Sequence, residues 1–276
     1  MLKYKLLGLD IDGTIRNRDN IITDRVRQAI LAVQKQGVKV AILSGRPVYG
    51  MKETAKELCL NLYGGYIMAH NGAVIVDCAS DEVIKRELLP MGQTGKYYEF
   101  AKEHGCNMLT YDDSFMVTND VTDPIIIHEA FVNGMTLKET KDFREYEDKP
   151  ISKCMIAGNP EELLKMEPIS KSLFGPKVES FRSEPYYLEF VPRGIHKGST
   201  LKNLAESLGF CREEVAACGD GYNDLTMIQY AGLGAAMGNA QKEVKEEADY
   251  VTKSCEEDGV ACLIEYIICG TPPNQV

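Results

Sequence analysis

Short apolar runs alternate with segments of helical spacing at the beginning of the chain. The apolar run 6–11 ends at a turn-forming Asp-Gly pair, which is typical of a buried strand. Apolar residues then recur at helical spacing between Thr23, a suitable N-cap, and Gly37, which suits the left-handed position after a helix. The continuous apolar run 38–43 follows as a second strand. Strand, helix and strand at this spacing predict a parallel βαβ unit.

The pattern changes in the middle of the chain, where short strands and helices alternate and aromatic residues become denser. Before this change, a helix is predicted near 52–60 and a turn at Asn71-Gly72. The elements predicted in the middle are strands at 83–89, 107–111, 154–157 and 187–191 and helices at 97–104, 124–132 and 160–173. Asp123-Pro124 and Asn159-Pro160 are suitable starts for two of these helices.

The βα rhythm returns after Pro192 with strands and helices in the style of the first segment. The two outer segments, 1–82 and 189–276, are therefore predicted to share one sheet. Residues 83–188 are predicted to form an inserted α/β module. The last residues, 270–276, contain two prolines and are expected to be frayed.

The composition is that of an ordinary globular protein with an acidic surface. The 276 residues are 44% hydrophobic and 26% charged, and the formal net charge is −10. Such a charge repels phosphate backbones and anionic lipid, so neither nucleic acid nor a membrane is expected as the main partner. The nine cysteines contain no Cys-x-x-Cys pair and are expected to stay reduced. Because signal-peptide and membrane-spanning patterns are lacking, the protein is expected to be soluble and cytoplasmic.

Two carboxylates stand at the end of the first predicted strand. Asp10 and Asp12 are two residues apart and turn at a glycine, at the sheet edge where parallel sheets bind ligands. One could act as a nucleophile and the other as a proton donor. Because they would repel each other, a divalent cation between them is expected. The alternative is a polar turn without chemistry, since Asp and Gly are common in turns.

Three further groups fall at strand ends or helix starts of the same predicted sheet. Ser44-Gly45-Arg46 ends the second strand, where a hydroxyl and exposed amides suit a phosphoryl oxygen, although a simple turn would look the same. Asp220 follows the strand predicted at 215–218 and offers another oxygen ligand to a hard cation such as Mg²⁺. Lys197 begins a helix, where a cation opposes the helix dipole, so a phosphate is expected to meet it, although a solvated surface lysine is the usual alternative.

This ordered set of motifs resembles the haloacid dehalogenase-like superfamily, in particular its Cof-type phosphatase branch. The four matching motifs are 10–14 (Asp-Ile-Asp-Gly-Thr), Ser44, Lys197 and 219–224 (Gly-Asp-Gly-Tyr-Asn-Asp), and the stretches 44–47 and 70–73 match further signatures of that branch. The resemblance covers the whole chain. It implies a Rossmann-like, doubly wound parallel-sheet core and identifies the insert at 83–188 as a substrate-specificity cap.

The resemblance also implies roles for individual residues. Asp10 is expected to attack phosphorus and form an aspartyl-phosphate, while Asp12 protonates the leaving oxygen and later activates water. The expected ligands of a Mg²⁺ cofactor are the carboxylates of Asp10 and Asp220 and the backbone carbonyl of Asp12. The residues expected to hold the phosphoryl group or support its binding are Ser44, Gly45, Lys197 and Asn223, with Asp224 and Arg46 in supporting positions.

The resemblance implies a magnesium-dependent phosphatase of small phosphate esters, with sugar phosphates as the leading expected substrate class. A sugar phosphomutase needs the same residues and stays open. A non-enzymatic phosphometabolite sensor would be expected to lack Asp12 or Lys197, and both are present. A phospho-acceptor receiver domain is about half this length and is disfavoured. Asp112, His128 and Glu189 are the polar candidates for leaving-group contacts in the cap, and the sequence leaves the oligomeric state open.

Overall fold

The computed structural model describes residues 2–112 and 115–270. These residues form two compact units. The first unit comprises 2–45, 51–85 and 196–270, and the second comprises 46–50 and 86–195. The tail predicted to be frayed lies, apart from Gly270, outside the described residues.

The helices and strands follow one another in a mixed order along the chain. The strands are β1 (Leu6–Asp10), β2 (Lys39–Leu43), β3 (Tyr66–Ala69), β4 (Val74–Asp77), β5 (Glu82–Arg86), β6 (Asn107–Asp112), β7 (Phe115–Thr118), β8 (Thr136–Glu139), β9 (Cys154–Ala157), β10 (Val178–Glu184), β11 (Tyr187–Pro192), β12 (Val215–Gly219), β13 (Leu233–Ala236) and β14 (Tyr250–Val251). The α-helices are α1 (Asp24–Lys35), α2 (Val48–Glu57), α3 (Leu60–Tyr63), α4 (Thr94–Glu103), α5 (Pro124–Val132), α6 (Pro160–Leu173), α7 (Lys197–Ser207), α8 (Leu225–Tyr230), α9 (Lys242–Glu246) and α10 (Gly259–Cys269).

The first unit is built on an eight-stranded sheet in the order β14-β13-β12-β1-β2-β3-β4-β5. Pairing is parallel from β14 to β3, and β4 returns antiparallel to β3. From β1 the chain continues to β2 on one side, while β12 lies on the other side. This makes the carboxyl end of β1 a topological switch point, the position at which open α/β sheets bind ligands.

Apolar side chains hold helices against this sheet. Alternating residues of β1, β2 and β12 form one cluster with α7 and α8 that includes Leu6, Leu43, Val215 and Leu201. Thr23 caps helix α1 by accepting from the Val26 amide, and α1 packs against α10. Because the five residues of β1 are all buried, its last residue, Asp10, is held on a rigid element.

The second unit contains a six-stranded sheet in the order β10-β11-β9-β6-β7-β8. Helices α4 and α6 pack on an aromatic cluster at one face, which includes Tyr97, Phe143 and Phe190. Helix α5 contributes Ile126 and Ala130 to a separate cluster. Asp123 and Asn159 cap α5 and α6, and each helix has proline at its first position, as predicted.

The α/β class and the parallel-sheet core are confirmed, but some strand predictions are wrong. The strand predicted at 83–89 within the insert is β5, which belongs to the eight-stranded sheet. The boundary predicted between 188 and 189 falls inside β11, which pairs with β9 and β10, so the second unit continues to 195. Strands β7, β8 and β10 were not predicted. Two of them are sheet edges with exposed polar positions, where apolar alternation is weak.

All nine cysteines lie within the described residues, and none of them is paired in a disulfide there. Among the helices of the described residues, none combines the length and the apolar character that crossing a bilayer requires.

Candidate active site

Asp10 ends β1 between two parallel neighbours. It pairs with Leu43 of β2 on one side, and Leu9 pairs with Cys218 of β12 on the other. The carboxyl ends of these strands therefore lie at one edge of the sheet. The Asp10 side chain is almost completely buried, with 6% of the residue exposed.

The chain turns sharply after Asp10, and Gly13 makes this turn possible. Gly13 has φ +75°, and a Cβ atom there would lie 2.4 Å from Asp220 Oδ2. Thr14 follows and donates its hydroxyl to Asp220 Oδ1 at 3.4 Å. The small residue thus brings the first motif into contact with the loop after β12.

Lys197 is the first residue of α7 and is completely buried. Its Nζ atom lies 2.5 Å from Asp10 Oδ1 and 2.5 Å from Asp224 Oδ1. A cation at a helix start is disfavoured by the dipole, and these two carboxylates account for its position. Burial alone would lower the pKa of Lys197, but Asp10 and Asp224 outweigh burial and raise it. The two carboxylates therefore favour the ammonium form of this side chain beside Asp10.

Asp224 organises the loop that follows β12. Its Oδ2 atom accepts from the backbone amides of Asp220 at 3.0 Å and Gly221 at 2.9 Å, while Oδ1 faces Lys197. Residues 222–224 form a 3-10 turn that leads into α8. Asp224 therefore fixes both the lysine and the direction of Asp220.

Asp220 is half-buried and bound by a residue that the sequence did not single out. Asn239 donates to Asp220 Oδ2 at 3.1 Å and to the Gly13 carbonyl at 2.9 Å, and its own carbonyl accepts from the Cys255 amide. Asn239 follows β13 by three residues. The rule that polar residues after parallel strands share one edge would have found it.

Of the groups predicted to hold phosphate, Ser44 is buried directly after β2, and Asn223 is exposed in the 3-10 turn before α8. Gly45 lies beside the Asn71 carboxamide, because a Cβ built on it would be 3.6 Å from Asn71 Nδ2. Arg46 belongs to the second unit, where it donates to the Val132 carbonyl at 3.3 Å.

Three carboxylates of this edge could hold a cation. One oxygen of each of Asp10, Asp220 and Asp224 lies within 4.8 Å of the others. The predicted set named Asp10, Asp12 and Asp220, with Asp12 acting through its backbone carbonyl. The Asp12 side chain is exposed and is not a member of this cluster. Because Asp224 binds Lys197 and two amides, Asp10 and Asp220 are the better carboxylate ligands.

The charges of the cluster fit a divalent metal. With all three carboxyl groups ionised and Lys197 protonated, the cluster carries a net charge of −2. Burial and then Asp224 raise the pKa of Asp10, although Lys197 opposes them. Burial and Asp224 likewise raise the pKa of Asp220 to about 6. A hard cation with oxygen ligands would relieve this repulsion, so the donor set suits a divalent metal such as Mg²⁺.

The three polar candidates named for the insert differ in their surroundings. Glu189 in β11 is buried and forms an ion pair with Lys153 at 2.8 Å. Asp112 is half-buried at the end of β6, and His128 is exposed on α5. A contact of any of them with a leaving group stays a prediction.

The raised pKa of Asp220 predicts a pH dependence of the metal-free protein. Its folded-state value of about 6 exceeds the ordinary 3.8, so its stabilising contribution is present below about pH 4 and is lost as pH rises through 6. We expect Asp220→Asn, which cannot ionise, to gain stability relative to the wild type as pH rises from 4.5 to 7.5 in chelator. Urea unfolding at both pH values measures this difference. A difference that does not change with pH would contradict the prediction.

Known proteins resemble this chain over most of its length. The family model described as haloacid dehalogenase-like hydrolase matches residues 7–264. The 5-amino-6-(5-phospho-D-ribitylamino)uracil phosphatase YcsE of Bacillus subtilis is 33% identical over 262 residues, which cover 95% of each chain. A haloacid dehalogenase-like hydrolase from Bacteroides thetaiotaomicron has a structure with a TM-score of 0.92 and 44% identity, covering 96% of this chain and 100% of that chain. The sugar phosphatase BT4131 gives a TM-score of 0.79 and 25% identity over 95% of this chain and 98% of that chain.

Proposed function

This chain belongs to the haloacid dehalogenase-like hydrolases and is a phosphatase of that family, and we propose that it hydrolyses small phosphate monoesters through an aspartyl-phosphate on Asp10. The observation that carries the proposal is the buried Lys197 ammonium, held at 2.5 Å from both Asp10 and Asp224 at the sheet edge that also bears Asp220. A nucleophilic carboxylate, a fixed cation and a further carboxylate are what transfer of a phosphoryl group to a protein requires.

In the first step an Asp10 oxygen attacks phosphorus, and the bond between phosphorus and the leaving oxygen breaks. Asp12 gives its proton to that oxygen, so the product leaves as a neutral alcohol. Asp12 suits this role because it is exposed and lies two residues beyond the nucleophile. In the second step Asp12 takes a proton from water, and the water oxygen attacks the aspartyl-phosphate. Inorganic phosphate leaves and Asp10 is restored.

Positive charge and hydrogen-bond donors would stabilise the phosphoryl oxygens during both steps. Lys197 supplies a permanent cation on a rigid helix start. The Ser44 hydroxyl, the Gly45 amide and the Asn223 carboxamide are the proposed donors at neighbouring chain turns. Since none of them changes charge, they act by position alone.

The proposed cofactor is Mg²⁺, held by the Asp10 and Asp220 carboxylates and the Asp12 backbone carbonyl. When bound, it would neutralise charge on the phosphoryl oxygens. Asn239 and Thr14 hold the Asp220 carboxylate in place, at 3.1 and 3.4 Å respectively. The position of this carboxylate therefore depends on contacts that persist without the ion.

The proposed substrates are small phosphorylated metabolites, with sugar phosphates first. Two similar proteins support this class, one named a sugar phosphatase and one a phosphatase of a phosphoribityl compound. The second unit, inserted in the chain between Ser44 and Lys197, has the position that the family gives to a specificity cap. We assign substrate selection to this unit.

The proposed function predicts phosphate release that requires both Mg²⁺ and Asp220. Purified protein is assayed against sugar phosphates, nucleotides and an aryl phosphate, with Mg²⁺ and with chelator. We expect release with Mg²⁺, most efficient for sugar phosphates, and none with chelator. Asp220→Ala is expected to raise the Mg²⁺ concentration for half-maximal activity by at least about tenfold, because a ligand is lost.

Two outcomes would contradict parts of this proposal. Transfer of phosphate within a sugar phosphate without release would indicate a mutase. An Asp220→Ala defect that excess Mg²⁺ does not reduce would show that Asp220 has a role other than metal binding. Asp249→Asn serves as the control. Asp249 lies in the loop before β14 and is not one of the three clustered carboxylates, so this change is expected to leave the metal dependence unaltered.

A further inference from the structure

A turn with unusual backbone conformation joins β3 and β4 beside the candidate active site. His70 and Asn71 have φ values of 51° and 56°, and Gly72 has φ 103°. Residues other than glycine rarely adopt this left-handed backbone conformation, although asparagine and histidine tolerate it better than most. All three residues are buried. A buried run of this conformation persists only where its surroundings enforce it.

The backbone of Asn71 is tied to the end of β2. Its amide donates to the Ser44 carbonyl at 2.9 Å, and the Ser44 amide donates to the Met68 carbonyl at 3.1 Å. The Asn71 carboxamide packs 3.6 Å from the position of a Cβ on Gly45. The left-handed turn therefore holds the Ser44-Gly45 turn through a backbone hydrogen bond and a side-chain contact.

The side chain of Asn71 reaches the loop of the fourth motif. Asn223 Nδ2 donates to Asn71 Oδ1 at 3.3 Å, a contact between residues 152 positions apart. This bond orients the exposed Asn223 carboxamide with its nitrogen toward Asn71. The second hydrogen of Nδ2 remains to be donated elsewhere.

The third residue of the turn contacts the helix of Lys197. A Cβ atom on Gly72 would lie 2.4 Å from the hydroxyl of Thr200 and 2.6 Å from its Cβ, so only glycine permits this approach. Thr200 lies about one turn after Lys197 in α7. The turn thus contacts each of the elements that carry the proposed phosphate-binding groups.

We propose that Asn71 is a positioning residue for phosphoryl recognition, which orients the Asn223 carboxamide and supports the Ser44-Gly45 turn. This inference rests on the proposed function, in which Asn223 and Ser44 bind the phosphoryl oxygens. In this left-handed conformation Asn71 makes both contacts, which accounts for the strained backbone at the turn.

The test is a double-mutant cycle with Asn71→Gly and Asn223→Ala. Glycine keeps the left-handed backbone and the amide donor to Ser44, so the carboxamide alone is removed. Asn20→Gly is the matched control, since Asn20 also has positive φ but lies in an exposed turn. We expect Asn71→Gly and Asn223→Ala each to lower kcat/KM for p-nitrophenyl phosphate about tenfold, and the double variant to lose little more than either. The kcat/KM of the Asn20→Gly control and the melting temperatures of the variants should not fall.

The binding of inorganic phosphate, measured by calorimetry in Mg²⁺, gives a readout independent of turnover. Asn71→Gly is expected to weaken phosphate binding about tenfold in the wild-type background and less than twofold in the Asn223→Ala background. Equal losses in both backgrounds, or no loss, would overturn the inference. If the wild type released no phosphate from any ester, the proposed function would fail, and the calorimetric cycle would still decide the role of Asn71.

Discussion

Replacing Asp10 by asparagine is expected to lower the rate of phosphate release by about 10⁴-fold or more, because a neutral amide cannot attack phosphorus. The carboxamide has nearly the size of the carboxylate, so packing at the end of β1 should be kept. Steady-state assays at saturating Mg²⁺, with enzyme concentrations high enough to detect slow release, measure this loss. Trapping of a phosphorylated protein at low pH should succeed with the wild type and fail with Asp10→Asn.

The same variant is expected to be at least as stable as the wild type in chelator at neutral pH. Burial and Asp224 raise the pKa of Asp10, so ionisation of this carboxyl costs folding free energy as pH rises through its folded-state pKa. Asparagine removes that cost. A large loss of stability would mean that lost activity reflects unfolding, and near-normal turnover would show that Asp10 is not the nucleophile. Asp24→Asn, at the exposed first turn of α1, is the matched control.

The core of the fold was predictable because its strands are buried on both faces. The runs at 6–11 and 38–43 are continuous and apolar, and the helices starting at Asp123 and Asn159 carry their own capping residues. Strand β8, with the sequence Thr-Leu-Lys-Glu, is a mostly exposed edge, so its residues carry no periodic signal. Strand β5 was assigned to the wrong sheet because its pairing partner is set by tertiary structure, which its own residues do not encode.

The candidate site was predictable where chemistry coincides with a strand end. Asp10 ends β1, Ser44 and Asp220 follow β2 and β12, and the order of these strands brings the three residues to one edge. The contact of Lys197 with both Asp10 and Asp224 depends on how α7 meets the loop after β12, which spacing along the chain does not reveal. Asn239 and Asn71 act through other side chains rather than at the site itself. Their hydrogen bonds to Asn223 and Asp220 depend on how separate loops meet, which the sequence alone does not reveal.

Replacing Lys197 by methionine is expected to destabilise the metal-free protein by about 3–5 kcal/mol, because it leaves two buried carboxylates without their shared cation. Methionine fills a similar volume, so the loss reports charge rather than a cavity. Urea unfolding in chelator measures it, and Mg²⁺ should restore part of the stability by supplying positive charge to the same cluster. Phosphate release should fall by a factor of about 10² or more, since Lys197 is proposed to stabilise the phosphoryl oxygens.

Two further variants separate charge from packing in this prediction. Lys39→Met removes a half-buried ammonium that donates to the Tyr63 carbonyl at 2.9 Å, so it is expected to cost much less than Lys197→Met. Adding Asp224→Asn to Lys197→Met removes one of the unbalanced carboxylates while keeping an oxygen for the amides of Asp220 and Gly221. The double variant should therefore be more stable than Lys197→Met alone and still inactive. If the second substitution lowered stability further, repulsion between Asp10 and Asp224 could not be the source of the loss. Lys197 would then stabilise the fold through its packing rather than through its charge.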